Sequence, residues 1–313
     1  MNMKGYRFER LCEERLSDLK FLYKDAFLKD VTLEFLKKKY DTSFTGIQYV
    51  GYVAYDNHDR PAAYYGVLPL YVEHKDMTIL AAQSGDTMTL STHRGRGLFF
   101  NLAQEAYKLA ANLGIKFVFG FPNMHNSYGG LMKLKWTHNG NMKIFRMFVP
   151  TLPLSVAARK SRTVGKMYNQ RADRVLAKYS SRSDSFENPL TKSDYLVVKR
   201  DRSFFQYKKY SKKSILDIEG RCVYVKADKT LQVGDIERCS EEVFFRIIAR
   251  LRKIAFELGA PALTLGFSPG VDYARFLEKK YRPRESLPIC YLNLTSEVDL
   301  NGLRFSLADF DTF

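Results

Sequence analysis

The sequence predicts a mixed α/β fold built as two related lobes, and three observations lead to this prediction. Apolar segments with helical spacing alternate along the chain with short apolar runs that are typical of buried strands. The length of 313 residues suits one large domain or two of ordinary size. A short pattern from the first half returns in the last third, in the same order. Each lobe is therefore expected to be a mixed central sheet flanked by helices.

The first half begins with two amphipathic helices and continues with three strands. The helices are predicted over residues 12–30 and 33–41, and the strands over 46–56, 62–74 and 77–92. The loop "THRGRG" then leads directly into a strongly amphipathic helix, for which Gly114 is the stop signal. The remaining elements are this helix over 98–114, a buried strand over 115–121, a short helix over 126–136 and a strand over 142–150.

A boundary is predicted at "VPTLPLS", where two prolines interrupt the pattern. It separates a first lobe over 1–150 from a basic helical linker over 151–190 and a second lobe over 191–313. In the second lobe "FFRIIARLRKIAFELGAPALTLGFSPG" repeats the order helix, Leu-Gly, apolar strand, Gly-Phe and turn. The stretch before that helix, "LQVGDIERCSEE", has no glycine loop, so the second lobe is expected to be a degenerate copy of the first.

The charge of the chain predicts an anionic partner. Lys and Arg number 50 against 34 Asp and Glu, which gives a formal net charge of +16. Nucleic acid, a membrane surface, a phosphorylated cofactor and an acidic carrier protein all fit this balance. The four cysteines are scattered, no signal-peptide pattern begins the chain, and no apolar run approaches a membrane span. We therefore expect a cytoplasmic protein with no metal site and no membrane span.

The loop Arg94-Gly95-Arg96-Gly97 has the composition of a phosphate-binding site. Glycine has no Cβ, so backbone N–H groups can approach a phosphate closely, and the following helix adds the partial positive charge of its N-terminus. The two arginines add formal charge. The loop is not a Walker motif, because no GKS or GKT follows, and it is not GxGxxG, because Phe99 and Phe100 occupy the place of the third glycine.

This loop resembles the pyrophosphate loop of the GNAT superfamily of N-acetyltransferases, usually written Q/R-x-x-G-x-G/A after a strand. Thr92 stands where the family has Gln or Arg. The order of predicted elements is also the family order through about residue 147. More narrowly, "QSGDTMTLSTHRGRGLF", "GFPNMHNSY" and "RFSLADFDTF" resemble bacterial tandem-lobe members. Two-lobed aminoglycoside acetyltransferases of the Eis type, whose terminal carboxylate serves the active site, are a further resemblance.

The resemblance implies an N-acyltransferase that moves an acyl group to the primary amine of a small molecule by direct attack. It also implies that the first lobe binds the acyl donor and that the degenerate second lobe contributes to the acceptor pocket. The donor is acetyl-CoA or another acyl-CoA, or the thioester of an acidic acyl carrier protein. Pyrophosphate binding is implied for Arg94, Gly95, Arg96, Gly97 and Leu98, and contact with the acyl arm for the backbone of Met88, Thr89 and Leu90. Contacts to the acceptor or the acyl group are implied for Asn123, His125, Asn126, Ser127, Asp309, Asp311 and Phe313.

The catalytic candidates are a base that takes the proton of the amine and an acid that protonates the leaving thiolate. Asp86, three residues before Thr89, is the preferred base. The runner-up is the tail group of Asp309, Asp311 and the carboxylate of Phe313. Tyr128 is the candidate acid, although the family tyrosine falls near Leu131, one helical turn later.

Two alternatives stay open at this point. A FemX-like enzyme transfers an amino acid from aminoacyl-tRNA with two GNAT-type lobes, and the positive charge suits tRNA. A non-catalytic nucleic-acid-binding module also suits the charge and the interspersed aromatic residues. It gives the glycine loop no role, so no specific nucleic-acid partner is expected. The acceptor also stays open and can be an amino sugar, an aminoglycoside or an amino acid. The tandem-lobe resemblance suggests a role in the synthesis of surface polysaccharides or secondary products. The oligomeric state is open as well.

Overall fold

The computed structural model describes residues 2–3, 5–124, 128–295 and 298–313. The chain divides into two compact units, and both take segments from the first and the second half of the sequence. The first unit consists of Met1–Asn139, Gln206–Tyr210 and Leu287–Gly302. The second consists of Gly140–Phe205, Ser211–Ser286 and Leu303–Phe313. The predicted mixed α/β fold is confirmed.

The first unit is a mixed sheet with helices on both faces. Its strands are β1 (Asn2–Met3), β2 (Tyr6–Arg10), β3 (Val50–Tyr55), β4 (Pro61–His74), β5 (Met77–Thr89) and β6 (Phe117–Gly120). Its helices are α1 (Leu16–Phe27), α2 (Leu33–Tyr40), α3 (Leu98–Asn112) and α4 (Tyr128–Lys133), with short 3-10 turns at Glu13–Arg15, Ser43–Thr45 and Ser91–His93. The strands β1 to β5 pair in chain order, each antiparallel to the next, and β6 lies beside β5.

Two apolar cores lie on opposite faces of this sheet. Tyr65 of β4 packs in one core with Leu102 of α3. The neighbouring Tyr64 packs in the other core with Leu19 of α1 and Leu36 of α2. Successive side chains of a strand point to opposite faces, so α3 covers one face and the pair α1–α2 covers the other.

A β-bulge interrupts the long β4–β5 ladder. The pairing shifts register between Tyr65 and Val67, where Gly85 and Asp86 of β5 together lie opposite Gly66 of β4. A bulge of this kind bends its strand and redirects the side chain that it carries. The bulge thus determines where Asp86 points.

Beyond the bulge, β5 separates from β6. These two strands pair in parallel at Ala82–Val118 and Gln83–Phe119, and β6 ends at Gly120 whereas β5 continues to Thr89. Of the described strands, only β4 accompanies the last part of β5. The far edge of β5 is therefore open exactly where the glycine loop begins.

The second unit also combines strands with helices. Its strands are β7 (Thr137–Phe148), β8 (Val197–Val198), β9 (Ser214–Ile218), β10 (Arg221–Ala227), β11 (Leu231–Ile236), β12 (Ala262–Phe267) and the first residues of β13 (Arg284–Asn293). Its helices are α5 (Leu154–Ala157), α6 (Arg162–Ala177), α7 (Arg202–Tyr207), α8 (Glu241–Leu258) and α9 (Asp272–Glu278), and a 3-10 turn spans Leu307–Asp309. Two further 3-10 turns, Lys208–Tyr210 and Leu300–Gly302, belong to the first unit.

The last strand of each half of the sequence belongs to the unit formed mainly by the other half. The C-terminal part of β13 pairs antiparallel with β6, and β7 pairs antiparallel with β12. In both units this strand therefore lies beside the second member of a short parallel pair, β5–β6 or β11–β12. The sequence predicts residues 142–150 in the first lobe and the strand near 288–294 in the second. The structure places each in the other unit, because neighbours along the chain are not always neighbours in a sheet.

The segment predicted as a basic linker contains α6, which packs onto the second unit. Tyr168, Ala172, Val175 and Leu176 of this helix are buried in the core of that unit together with Leu251 of α8. Their spacing of four, three and one residues makes a single apolar stripe on an otherwise basic helix. The helical prediction for this segment agrees with the structure, but its apolar stripe makes it part of a folded unit.

Candidate functional site

The glycine loop has the backbone geometry that only glycine adopts without strain. Gly95 has a φ of 76° and Gly97 a φ of 78°, both in the left-handed region. A Cβ atom at Gly95 would meet no other atom within 4 Å, so the glycine is needed there for its conformation and not for lack of space. The loop therefore turns sharply from the end of β5 into α3.

The N-terminus of α3 has no side-chain cap. Gly97 is its N-cap residue and has no side chain that can accept a hydrogen bond from the first-turn N–H groups. The corresponding helix of the second unit, α8, has Ser240 as N-cap, with the hydroxyl accepting from the Val243 N–H at 3.4 Å. Glu241 and Glu242 also place negative charge in its first turn. Only α3 of this pair thus offers its first-turn donors to an anion.

Both loop arginines are bound to neutral oxygen atoms. Arg96 donates to the Tyr6 hydroxyl at 3.0 Å and to the Thr92 carbonyl at 3.2 Å, and Arg94 donates to the Thr89 carbonyl at 3.4 Å. In the described ranges, neither guanidinium has a carboxylate within 4 Å. Their positive charges are therefore not neutralised and lie next to the open N-terminus of α3.

The predicted acyl-binding residues form the end of β5. Met88 is buried against α1 and α2, whereas Thr89 and Leu90 are partly exposed. The Leu90 N–H donates to Ala62 of β4 at 2.9 Å, which holds this end of β5 in the sheet. No described strand pairs with the opposite edge of this part of β5. The contact of these three residues with an acyl arm stays a prediction.

Asp86, the preferred base, lies in a buried network that the sequence analysis did not predict. Its carboxylate accepts hydrogen bonds from the hydroxyls of Tyr23 and Tyr40, the latter at 2.8 Å, and from Lys39 Nζ at 2.8 Å. Lys39 Nζ also lies 3.2 Å from the Tyr23 hydroxyl. All four side chains are at most 9% exposed. The partners come from α1 and α2, 46 to 63 residues earlier in the sequence.

The tyrosines of this network are held in the protonated form. Burial, reinforced by the negative charge of Asp86, raises the pKa values of Tyr23 and Tyr40 well above the ordinary value. The same two causes raise the pKa of Tyr64, whose ring packs edge-to-face on Tyr40 with centroids 5.8 Å apart. A phenol that stays protonated is a hydrogen-bond donor, so the carboxylate of Asp86 is surrounded by donors.

The remaining candidates of the first unit lie near α4. Tyr128 begins this helix, donates its backbone N–H to the Asn123 carbonyl at 3.1 Å, and packs its ring edge-to-face on His138 with centroids 5.7 Å apart. The tyrosine is half-buried and Asn123 is exposed. His125, Asn126 and Ser127 lie outside the described residues. The role of Tyr128 as the acid stays a prediction.

The tail candidates belong to the second unit. Asp309 is 2% exposed and accepts hydrogen bonds from Arg200 and from the Ser306 N–H, both at 2.7 Å. The Phe313 ring is buried against Tyr224, with centroids 5.3 Å apart. These contacts tie the tail to its own unit. Asp311 is partly exposed there, and the proposed part of these three residues in the chemistry stays a prediction.

Two further findings concern possible ligands and environment. Within the described ranges, no group of three or more His, Cys, Asp and Glu side chains is arranged to hold a metal ion. A search of the same ranges for a helix long and apolar enough to cross a membrane finds none.

Part of the chain matches a known protein family. The family model described as an acetyltransferase (GNAT) domain matches residues 7–132. That range contains the bulge, the glycine loop, α3 and most of α4. No curated protein matches the sequence.

Several solved structures share the fold. A GCN5-related N-acetyltransferase from Kribbella flavida is 13% identical, with a TM-score of 0.59 over 93% of this chain and 72% of that one. A GCN5-related N-acetyltransferase from Anabaena variabilis is 12% identical, with a TM-score of 0.58 over 92% and 73%. Saccharomyces cerevisiae N-myristoyltransferase, solved with bound myristoyl-CoA, is 9% identical, with a TM-score of 0.58 over 94% and 84%. At these identities the likeness concerns the fold alone.

Proposed function

We propose that this chain, whose residues 7–132 match the GNAT acetyltransferase domain, transfers an acyl group from acyl-CoA to the primary amine of a small molecule. The observation that carries this proposal is the N-terminus of α3. Among the described residues, its first-turn donors have no side-chain cap, Arg94 and Arg96 lie beside them without a carboxylate partner, and no strand pairs with the neighbouring edge of β5. A pyrophosphate followed by an extended pantetheine arm matches this order of donors.

The chain's own groups supply the steps of direct attack. The loop from Arg94 to Leu98 holds the pyrophosphate, and the open backbone edge near Thr89 holds the arm so that the thioester lies near the bulge. Asp86 takes a proton from the ammonium form of the acceptor, because only the neutral amine attacks the thioester. Tyr128 is the proposed donor to the leaving thiolate. The acceptor proposed is an amino sugar or a related metabolite, and a carrier-protein thioester is an alternative donor.

The second unit is proposed to have lost cofactor binding and to help recognise the acceptor. Its helix α8 is capped by Ser240 and begins with Glu241 and Glu242, whose charges repel phosphate. Each protein chain should therefore bind one molecule of CoA.

Calorimetry and a transfer screen test this proposal. Titration with CoA and acetyl-CoA should give one site per chain. Incubation of acetyl-CoA and longer acyl-CoA thioesters with a panel of amino sugars, aminoglycosides and amino acids should give an N-acylated product detectable by mass spectrometry. Two CoA sites per chain would contradict the assignment to α3, and absence of both CoA binding and product would contradict the function.

A further inference from the structure

The network around Asp86 contains a buried cation, Lys39. This lysine lies in the last turn of α2 and is 3% exposed. Its Nζ atom is 2.8 Å from the Asp86 carboxylate and 3.2 Å from the Tyr23 hydroxyl. Lysine is almost never fully buried unless it is paired, because an isolated charge loses its hydration. The position of Lys39 therefore depends on Asp86, and that of Asp86 on Lys39.

The other groups that face Asp86 carry no positive charge. From α1 comes Tyr23, from α2 comes Tyr40 beside Lys39, and from β4 comes Tyr64. The three tyrosines stay protonated because burial and the carboxylate raise their pKa values. The hydroxyls of Tyr23 and Tyr40 donate hydrogen bonds to the Asp86 carboxylate but do not neutralise its charge. The ammonium of Lys39 is thus the described charge that compensates the carboxylate.

The shape of the strands also favours this arrangement. A Cβ atom at Gly66 would lie 2.1 Å from the Tyr64 hydroxyl, and one at Gly51 would lie 3.0 Å from it. These two glycines are paired across β3 and β4, so the absence of side chains makes room for the Tyr64 ring beside Tyr40. The cluster at the bulge is therefore closely packed, and its members have little freedom to move.

We propose that Lys39 is a positioning residue that keeps Asp86 ionised and oriented at the bulge. The inference rests on the proposed acyl transfer, in which a proton moves from the amine nitrogen to an Asp86 oxygen, leaving a neutral amine and a carboxylic acid. A carboxyl group that is already protonated cannot accept this proton. Without Lys39 the buried carboxylate has no opposite charge, and proton uptake is the less costly state.

Two variants separate charge from shape. Lys39→Met keeps the length of the side chain and removes its charge, whereas Lys39→Arg keeps the charge. The protonation of Asp86 is followed by carbon-13 NMR of aspartate carboxyl groups, with the signal assigned by its loss in Asp86→Asn. In Lys39→Met this signal should titrate at a higher pH than in the wild type, because the adjacent opposite charge that favours the carboxylate is gone. In Lys39→Arg the shift should be largely reversed.

The kinetic test uses acetyl-CoA and the panel amine that gives the fastest transfer. In Lys39→Met the acid limb of the kcat–pH profile should move upward by the same interval, with little change in the KM for acetyl-CoA. A lysine that only supports packing would lower stability and leave the midpoint of that limb where it is in the wild type. That result, or an Asp86 signal that titrates at the same pH in all variants, would overturn the proposal.

If Lys39→Met does not fold, Tyr40→Phe serves instead. It removes one donor to Asp86 and keeps the ring, so the carboxyl signal should move in the same direction by a smaller interval, and an unchanged signal would count against the network. Failure of the proposed function looks different. The wild type would then show neither acetyl-CoA binding nor transfer, while the carboxyl titrations would still decide whether Lys39 controls the charge of Asp86.

Discussion

Asp86 combines two properties that usually exclude each other, because it is nearly buried and yet is the preferred base. Its oxygens accept three hydrogen bonds, from the hydroxyls of Tyr23 on α1 and Tyr40 on α2 and from the ammonium of Lys39. To accept a proton from an amine, the carboxylate must give up one of these hydrogen bonds. The hydroxyls of Tyr23 and Tyr40 are the ones to release, since the loss of a neutral donor leaves no charge unpaired, whereas separation of the Lys39 ammonium would leave a buried charge without its partner.

The first prediction concerns Asp86→Asn. Asparagine keeps the size of the side chain but cannot take the proton, so kcat should fall about 10²- to 10⁴-fold with little change in acyl-CoA affinity. The variant also leaves Lys39 without its carboxylate, so its free energy of unfolding must be measured beside its kcat. Calorimetry with acetyl-CoA and steady-state transfer rates check the two halves of the prediction.

The matched comparison is deletion of residues 310–313. Phe313 packs on Tyr224 and lies over Gly234, where a Cβ atom would be 2.5 Å from its ring. The deletion should lower the stability of the second unit but cost the folded protein less kcat than Asp86→Asn. If Asp86→Asn keeps near-normal kcat from pH 6 to 9 and the truncated protein is folded but inactive, the tail supplies the base.

The second prediction concerns the buried ion cluster of the second unit. Arg200 binds Asp235 through Nε at 2.8 Å and Asp309 at 2.7 Å, and all three side chains are inaccessible to solvent. Burial raises the pKa of Asp235, the nearby charge of Asp309 adds to this effect, and Arg200 opposes it. One guanidinium thus contacts two carboxyl groups, and burial together with the charge of Asp309 disfavours the ionised form of Asp235.

This shift makes stability depend on pH. An aspartate in an unfolded chain ionises near pH 4, so above that pH the folded protein holds a proton that the unfolded chain has lost. The stability that the protonated Asp235 carboxyl group contributes to the folded protein is therefore present at low pH, and it is lost as the pH rises through the folded-state pKa of this group. The side chain of Asp235→Asn cannot ionise. The difference in free energy of unfolding, variant minus wild type, should therefore increase from pH 4.5 to 8. Urea denaturation across this range measures the difference, and Asp76→Asn, at an exposed position, is the control. A constant difference between wild type and Asp235→Asn would contradict the shift.

At the scale of elements, the loop before α3 allows the third prediction, Gly95→Asp. The new carboxylate would lie beside the pyrophosphate, and two like charges about 4 Å apart at an effective dielectric constant near 20 repel by about 4 kcal/mol. The Kd for CoA should therefore rise about a thousandfold. Calorimetry of the wild type and the variant measures this change.

The chain offers a closely matched control at the other end of the same helix. Gly114 has a φ of 85°, and a Cβ atom there would also meet nothing within 4 Å. Gly114→Asp therefore brings the same backbone strain and the same charge, far from the N-terminal donors of α3. Its CoA affinity should stay within a few-fold of the wild type, and an equal loss in both variants would mean that strain, not charge at the loop, weakens binding.

Local elements of the site could be predicted from the sequence, whereas its side-chain network could not. Helix α3 was expected over 98–114 and spans Leu98–Asn112, because its apolar spacing and Gly114 are local signals. The N-terminal strand β2, with Tyr6 and Phe8 buried, was not expected, since five residues carry too little pattern. The partners of Asp86 lie on two helices distant in sequence. Tertiary packing alone brings Tyr23, Lys39 and Tyr40 to the bulge, and no spacing in the sequence encodes it.

At the scale of the whole molecule, sequence order and sheet order differ. The repeat found in the sequence corresponds to α3–β6–α4 and α8–β12–α9, and these local orders were predictable. The partner of each central strand was not, because β6 pairs with β13 and β12 with β7. Apolar strands have similar patterns wherever they pair. Only the hydrogen-bonded register, such as Cys290 with Gly120 and Ala262 with Phe148, identifies the exchange.

The fourth prediction follows from this exchange and concerns cutting the chain after residue 150. A fragment of residues 1–150 lacks β13, so the edge of β6 loses the strand that pairs with Phe117 to Gly120. It also carries β7, whose apolar residues Phe145 and Met147 are buried by elements of the second half. An unpaired central edge and an exposed apolar strand favour aggregation. The fragment should therefore be insoluble or lack a cooperative unfolding transition, although it contains the complete glycine loop.

Co-expression provides the decisive comparison. The fragment 151–313 lacks β7 and leaves the edge of β12 open, so it should fail alone for the same reason. Together the two fragments can exchange β7 and β13 as the intact chain does, and a soluble complex that binds acetyl-CoA should form. Circular dichroism, urea unfolding and calorimetry distinguish these states. If residues 1–150 alone unfold cooperatively and bind acetyl-CoA with the affinity of the full chain, β13 is dispensable and the first lobe is an independent domain after all.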